Sequence, residues 1–322
     1  MHRLNSRLFL TLVVIGYSCL AWGQREPFRV VGYYNLKAAT ETQKGAHFKY
    51  LTHINLWFLN PDSTGRYTQD LSALKPFVDK AHKRNIKVLF SIGGGSKQPQ
   101  YKRLLQDGLR APLIDSLVAQ VMRYNLDGID VDLEGSDILD TYEPFVVELA
   151  TALHAKQKLI TSAVAIYYKD QFTDKALAQY DFMNVMSYDR TGPWRPENPG
   201  PHALYTHAAD DLNYFGVERR IPPENMTLGV PFYGYGYGPE LNSPAISMGY
   251  KKIVATFKGA ENADEWKMPD GKTLYYNGIP TIKLKTLLAK SKASGIMIWE
   301  VRSDAKGRKS LLKAIHQASR EH

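Results

Sequence analysis

The stretch Asp127-Gly-Ile-Asp-Val-Asp-Leu-Glu134 places acids at alternate positions and ends in a turn, Gly135-Ser136-Asp137. Read as a strand, it puts Asp130, Asp132 and Glu134 on one face and Ile129, Val131 and Leu133 on the other. The apolar face must pack against something, so the acids point into a space lined by neighbouring strands. Three carboxylates crowded there lose hydration and repel one another. A solvated edge strand would avoid that cost; a functional carboxylate cluster explains it. Alternate residues rise by about 6.6 Å and Asp130 to Glu134 by about 13 Å. Neighbouring carboxyls can share a proton at this spacing, which raises one pKa of the Asp130–Asp132 pair. A divalent cation is a rival occupant, but a linear row converges badly on one ion and no histidine joins it. No metal and no cofactor is expected.

Such a row of acids needs a frame. Short β-branched runs alternate with amphipathic stretches, and eight of them read as strands: 29–36, 51–59, 87–93, 128–134, 159–166, 182–188, 227–233 and 295–301. Helical patterns fall at 71–84, 111–124, 139–156, 174–179, 202–215, 282–293 and 306–319. In the third of these, Leu139, Tyr142, Phe145, Val146, Leu149 and Leu153 form one stripe at spacings of three and four. Eight strands alternating with helices, several of them almost wholly apolar, predict an α/β fold, a (β/α)8 TIM barrel, rather than an open two-domain sheet. Barrel enzymes carry their chemistry at the C-terminal strand ends. Here those ends hold Tyr33 and Tyr34, Trp57 and Phe58, Ser91 with Gly93 and Gly94, Glu134, Tyr188 and Asp189, Tyr233, and Trp299. The connection from Gly234 to Ser294 is longer than its neighbours and holds a hairpin signal at Pro269-Asp270-Gly271. It predicts a small α+β-like insertion around 238–280 between strands seven and eight, within a single barrel spanning 24–322.

The acidic strand matches the D-x-x-D-x-D-x-E signature of family 18 glycoside hydrolases, the chitinase-type enzymes. Phe90-Ser-Ile-Gly-Gly94 resembles that family's S-x-G-G strand, Met186-Ser-Tyr-Asp189 its M-x-Y-D strand, and Ile296-Met-Ile-Trp-Glu300 its last strand with a tryptophan floor. The motifs stand in the family's order, on strands three, four, six and eight, and the resemblance covers about residues 28–316. It implies hydrolysis of β-1,4 links next to N-acetylglucosamine. Glu134 matches the general acid, Asp132 the residue that orients the substrate's acetamido group, and Asp130 its support. Tyr188 and Asp189 resemble contacts to the acetamido group and sugar, and Tyr33, Phe58 and Trp299 the aromatic lining. Gly94 and Met186 within the motifs, and Tyr233 at the seventh strand's end, complete the substrate-binding set. Two departures bear on cleft depth: Tyr235-Gly-Tyr237 stands where the family often has an arginine, and Ala165 where it often has proline. Most retaining glycosidases set two carboxyls about 5 Å apart across the anomeric carbon, whereas acids along one strand suit the substrate-assisted route known for this family.

The implied partner is chitin or another N-acetylglucosamine-containing oligosaccharide, handled by a monomer. An endo-β-N-acetylglucosaminidase acting on N-glycans and a catalytically inactive chitin-binding, lectin-like protein are the alternatives. Met1 to Gly23 reads as a secretory signal, with Arg3 and Arg7 ahead of an apolar run and Ala21-Trp22-Gly23 at the cleavage site. Export to the periplasm or beyond follows, with lipidation at Cys19, the sole cysteine, as a rival. The net charge is +9, of which that segment's two arginines supply two. No DNA or RNA motif accompanies the basic stretches, so a solvated surface and no nucleic-acid partner are expected. No later run is long enough to span a membrane. Trp194, Tyr235, Tyr237 and Trp266 are expected in loops near outer subsites, and His202 and His207 on an exposed helix face.

Overall fold

The computed structural model describes residues 28–41, 48–240 and 244–321. The expected export signal, Met1 to Gly23 with Cys19, lies outside the described residues. Twelve strands are found among the described residues: β1 (Arg29–Asn35), β2 (His53–Trp57), β3 (Lys87–Gly93), β4 (Gly128–Asp132), β5 (Leu159–Val164), β6 (Phe182–Val185), β7 (Met226–Pro231), β8 (Tyr233–Tyr237), β9 (Ile246–Gly249), β10 (Glu265–Lys267), β11 (Thr273–Tyr275) and β12 (Gly295–Trp299). Eight of them close a parallel barrel in the order β1-β12-β7-β6-β5-β4-β3-β2. All eight expected strands are present: the third keeps its expected bounds, the seventh begins one residue earlier, and all but the third end short of their expected C-terminal residue.

Alternation along the strands builds two packed layers. Ile54, Leu56, Val88, Phe90, Ile92, Ile129, Val131 and Ile160 face outward into one large core beneath the helices. The helix Tyr142–His154 buries Tyr142, Phe145, Val146, Leu149, Ala150 and Leu153 there, the stripe its sequence spacing demands. Inside the barrel a second cluster joins Val31, Tyr33, Phe182, Tyr188, Ala203 and Met297, with Trp57, Met186, Tyr233 and Trp299 against it. A polar layer lies in the same interior: Asp130, Ser91, Thr161, Asn184 and Thr227 are all fully buried. The register aligns them, pairing Ser91 with Asp130, Asp130 with Thr161, and Asn184 with Thr227.

The bottom of the barrel is tied by acids. Asp127 opens the acidic stretch but faces away from the mouth, accepting from Val88 N–H and His82 Nε2, each at 2.8 Å, and from Lys87 at 3.2 Å. Burial works against its charge, yet these partners outweigh it and hold the carboxyl below its ordinary range. Asp181 makes the matching backbone tie two strands further on, at the foot of β6, accepting from Ile160 N–H at 2.8 Å.

Several expected boundaries move. The first connection contains the short helix Leu36–Glu41, which the sequence pattern did not place. Glu134 lies past the end of β4, in extended backbone, because Gly135 turns the chain at φ +54°. Tyr233 does not end the seventh strand: it opens β8, the first strand of a separate sheet ordered β10-β11-β8-β9. Gly234 permits this, since a Cβ there would stand 2.3 Å from the Tyr275 carbonyl oxygen. Tyr235 and Tyr237 are therefore buried strand residues rather than loop aromatics. Trp266 is on β10, stacked on Phe257 at 5.6 Å, and β10 and β11 form the hairpin expected around Pro269-Asp270-Gly271. His202 precedes its helix and is 1% exposed, the opposite of a surface residue.

Candidate active site

A cavity of about 590 Å³ opens at the C-terminal strand ends, lined by Asp132, Glu134, Met186, Tyr188, Asp189 and Trp299 among the residues singled out from sequence. Such a volume suits a ligand of small-oligosaccharide size. In the eight-strand ring β4 and β12 stand opposite each other. Glu134 and Trp299 thus occupy facing walls, an acid on one and an aromatic floor on the other.

Asp130 is the buried anchor beneath this site. It accepts from Tyr33 Oη at 2.6 Å, Thr161 Oγ1 at 2.6 Å, Ser91 Oγ at 2.8 Å and Asn184 Nδ2 at 3.2 Å. Burial raises its pKa and these four donors pull it back. Asp132, one pleat nearer the mouth, is 2% exposed, and its Oδ1 has no hydrogen-bond partner among the described residues. Burial first, then the charges of Glu134 and Asp130, hold its pKa well above the ordinary carboxyl value. Glu134 is half-buried; burial, then Asp189 and Asp137, lift its pKa from 4.5 to about 7. A carboxyl poised there can give and take a proton near neutrality. Gly95 keeps one side of the acid open: a Cβ there would reach 3.4 Å from Glu134 Oε1.

Tyr188 is buried, and among the described residues its hydroxyl meets only the weak acceptor Met297 Sδ, at 3.8 Å. Asp189 sits at φ +61°, and its Oδ1 gathers Tyr233 Oη at 2.6 Å, Tyr235 Oη at 3.1 Å and His202 Nδ1 at 3.1 Å. His202 is thereby a support for Asp189, which its sequence context did not reveal. Nothing local marks it, because the contact spans the turn between β6 and the following helix.

The remaining predicted residues stand one layer behind the cavity wall. Tyr33 is buried under Trp299, with ring centroids 5.2 Å apart, and spends its hydroxyl on Asp130. Phe58 stacks on Trp299 at 5.8 Å. Gly94 lies under Phe58: at φ +101°, a Cβ would come within 2.4 Å of that ring. Gly94→Ala is accordingly expected to lower stability by about 1–3 kcal/mol, measurable by denaturant unfolding, and to displace Phe58 from Trp299. Tyr233 reaches the site through Asp189. Trp194 does line the cavity, 58% exposed and edge-on to Tyr235 at 5.8 Å. Gly95, Tyr167, Tyr168 and Arg195 line it too and were not singled out from sequence. Tyr167 and Tyr168 directly follow the stretch expected as the fifth strand, 159–166, so the strand-end rule that found Tyr188 was the signal available for them.

The high pKa of Glu134 also sets the sign of one pH effect. The folded protein holds that proton up to about pH 7 and the unfolded chain releases it near 4.5. The contribution to stability is complete below 4.5 and is lost as pH rises to about 7. Unfolding free energy should fall over that window, and Glu134→Gln should flatten the slope; an unchanged slope in the variant would reassign the titration.

Fold and site together define an α/β barrel with titratable groups and aromatics gathered at the C-terminal mouth. The family model of the glycosyl hydrolases family 18 matches residues 29–304. The chain belongs to that family. Among solved structures it is similar to the GH18 chitinase ChiB from the chitin utilization locus of Flavobacterium johnsoniae: 32% identity, TM-score 0.81, covering 91% of this chain and 94% of that one. It is also similar to a chitinase from Bacteroides thetaiotaomicron, with 27% identity, TM-score 0.77, and 92% and 98% coverage. A chitinase-like effector of Moniliophthora roreri is 26% identical over 264 residues, 71% of this chain and 64% of that protein. The chain spans less than two thirds of that relative's length. No helix among the described residues is long and apolar enough to cross a membrane.

Proposed function

We propose that this protein is an exported glycoside hydrolase that cleaves β-1,4 links at N-acetylglucosamine in chitin or chitooligosaccharides by substrate-assisted, retaining hydrolysis. One observation carries the reading: the partnerless Oδ1 of Asp132 stands beside a proton-holding Glu134, with Trp299 on the facing wall. The sugar in the reacting subsite stacks on Trp299. Glu134 gives its proton to the glycosidic oxygen as the bond to the anomeric carbon breaks, and the 2-acetamido oxygen forms the new bond to that carbon. Asp132 accepts a hydrogen bond from the acetamido N–H and stabilises the positive charge growing on the oxazolinium ring. The Tyr188 hydroxyl holds the acetamido oxygen in line. Glu134, now a carboxylate, takes a proton from the water that reopens the ring, and leaves ready for another cycle.

The acetamido oxygen is the preferred nucleophile because Asp132 is given to the acetamido N–H and the third cavity carboxylate, Asp189, is committed elsewhere. Asp189 has three donors on Oδ1, and it follows β6, two strands from β4. Asp130 is fully buried and saturated with donors. The family and the two chitinases similar over nine tenths of the chain support the substrate class.

Product analysis by mass spectrometry tests the reading, with chitohexaose and a high-mannose glycopeptide as separate substrates. Shorter chitooligosaccharides are expected. Release of glycan with one N-acetylglucosamine left on the peptide would move the assignment to N-glycan cleavage. Binding without product would make the protein a lectin.

A further inference from the structure

We propose that Tyr168 forms the acceptor-side wall of the cleft, its ring and hydroxyl holding the sugar that leaves when the bond is cut. This inference rests on the glycoside hydrolase reading above and adds a residue to it. Tyr168 lines the cavity in the turn after β5, and β5 adjoins β4, the strand that delivers Glu134. Its ring covers the turn that follows the acid: a Cβ on Gly135 would lie 3.5–3.8 Å from Tyr168 Cε1, Cζ and Oη.

The two tyrosines of this turn divide their roles. Tyr167 is an anchor, its hydroxyl donating to the Tyr188 carbonyl at 3.0 Å and its ring under the Arg190 guanidinium at 5.3 Å. The Gln171 amide, oriented so that its nitrogen meets acceptors, donates to the Gly135 carbonyl at 2.7 Å, fastening this turn to the one that follows Glu134. Tyr168 is held between these ties, half-buried, yet no described residue hydrogen-bonds its hydroxyl. By contrast, Tyr33, Tyr167, Tyr233 and Tyr235 all spend theirs on protein oxygen atoms.

Electrostatics agrees on which side of the acid Tyr168 stands. After burial, Glu134 is the group that most raises the Tyr168 pKa, ahead of Asp132, whereas for Tyr188 the order is reversed. Tyr188 belongs with the acetamido group, and Tyr168 with the oxygen that Glu134 protonates. A half-buried aromatic with a free hydroxyl suits a sugar, stacking on its C–H face and donating to or accepting from a hydroxyl.

Tyr168→Phe tests this against two substrates, chitotetraose, which has a sugar leaving group, and 4-methylumbelliferyl chitobioside, which has an aryl one. Losing one hydrogen bond to the leaving sugar should lower kcat/KM on the tetraose about 5–10-fold and leave the aryl substrate within about twofold. Tyr168→Ala, checked for an unchanged melting temperature, should widen that split by removing the stacking surface. Equal losses on both substrates, or none on either, would overturn the role of Tyr168. Wild type inactive on both would overturn the hydrolase reading itself, and this inference with it.

Discussion

Glu134→Gln is expected to lower turnover of chitohexaose by about 10²–10⁴-fold while oligosaccharide binding stays within a few-fold of wild type. Glutamine keeps the shape of the side chain but has no proton to give to a leaving oxygen. It is also no base for the second step, so both halves of the reaction lose the same group. The loss should fall on kcat, because the cavity walls built by Trp299, Tyr188 and Asp189 do not depend on that proton. Activity of the wild type should decline as pH rises through about 7, where Glu134 loses its proton before substrate arrives. Calorimetric titration with chitotetraose and a discontinuous product assay separate the two effects. Near-normal turnover by the glutamine variant would remove Glu134 from the mechanism.

Asp132→Asn is expected to cost about 10²–10³-fold in kcat. The substitution preserves volume in a side chain that is 2% exposed, so the barrel should fold unchanged. What it removes is an acceptor and a charge. An asparagine can still turn its oxygen toward the acetamido N–H, but it offers no negative charge to an oxazolinium ion. The variant should therefore lose affinity for a stable bicyclic thiazoline mimic of that ion far more than for chitobiose. Equal losses for both ligands would make Asp132 a ground-state binding group only.

Much of this site was legible because strand periodicity and barrel topology are both written in the chain. Alternation put Asp130 and Asp132 on one face, and the strand-end rule collected Glu134, Tyr188, Asp189 and Trp299. The same local rules cannot tell depth. Tyr33 and Tyr188 look alike at strand ends, yet Tyr33 is consumed by Asp130 and Tyr188 borders the cavity. Asp127 sits three residues from Asp130 and serves the opposite end of the barrel, since a strand carries its first residue to the floor and its last to the mouth. His202 was hidden for another reason: a predicted amphipathic start to its helix made it look exposed, and only the fold of the turn after β6 brings it to Asp189. The second sheet starts at Tyr233 because Gly234 and Gly236 admit close neighbours, a packing fact invisible in an aromatic-rich stretch. Tyr168 was within reach of the strand-end rule but stood just past the expected end of its strand.

The proposed attack on the anomeric carbon is by the substrate's own acetamido oxygen. It is tested most directly by hydrolysis of aryl chitobiosides whose reacting sugar carries N-acetyl, N-fluoroacetyl, N-difluoroacetyl or N-trifluoroacetyl groups. Each fluorine withdraws electron density from the acyl oxygen and leaves the leaving group untouched. A steep, monotonic fall in kcat/KM along the series is the predicted result. A flat series would contradict it, and would transfer the attack to a protein carboxylate or to water.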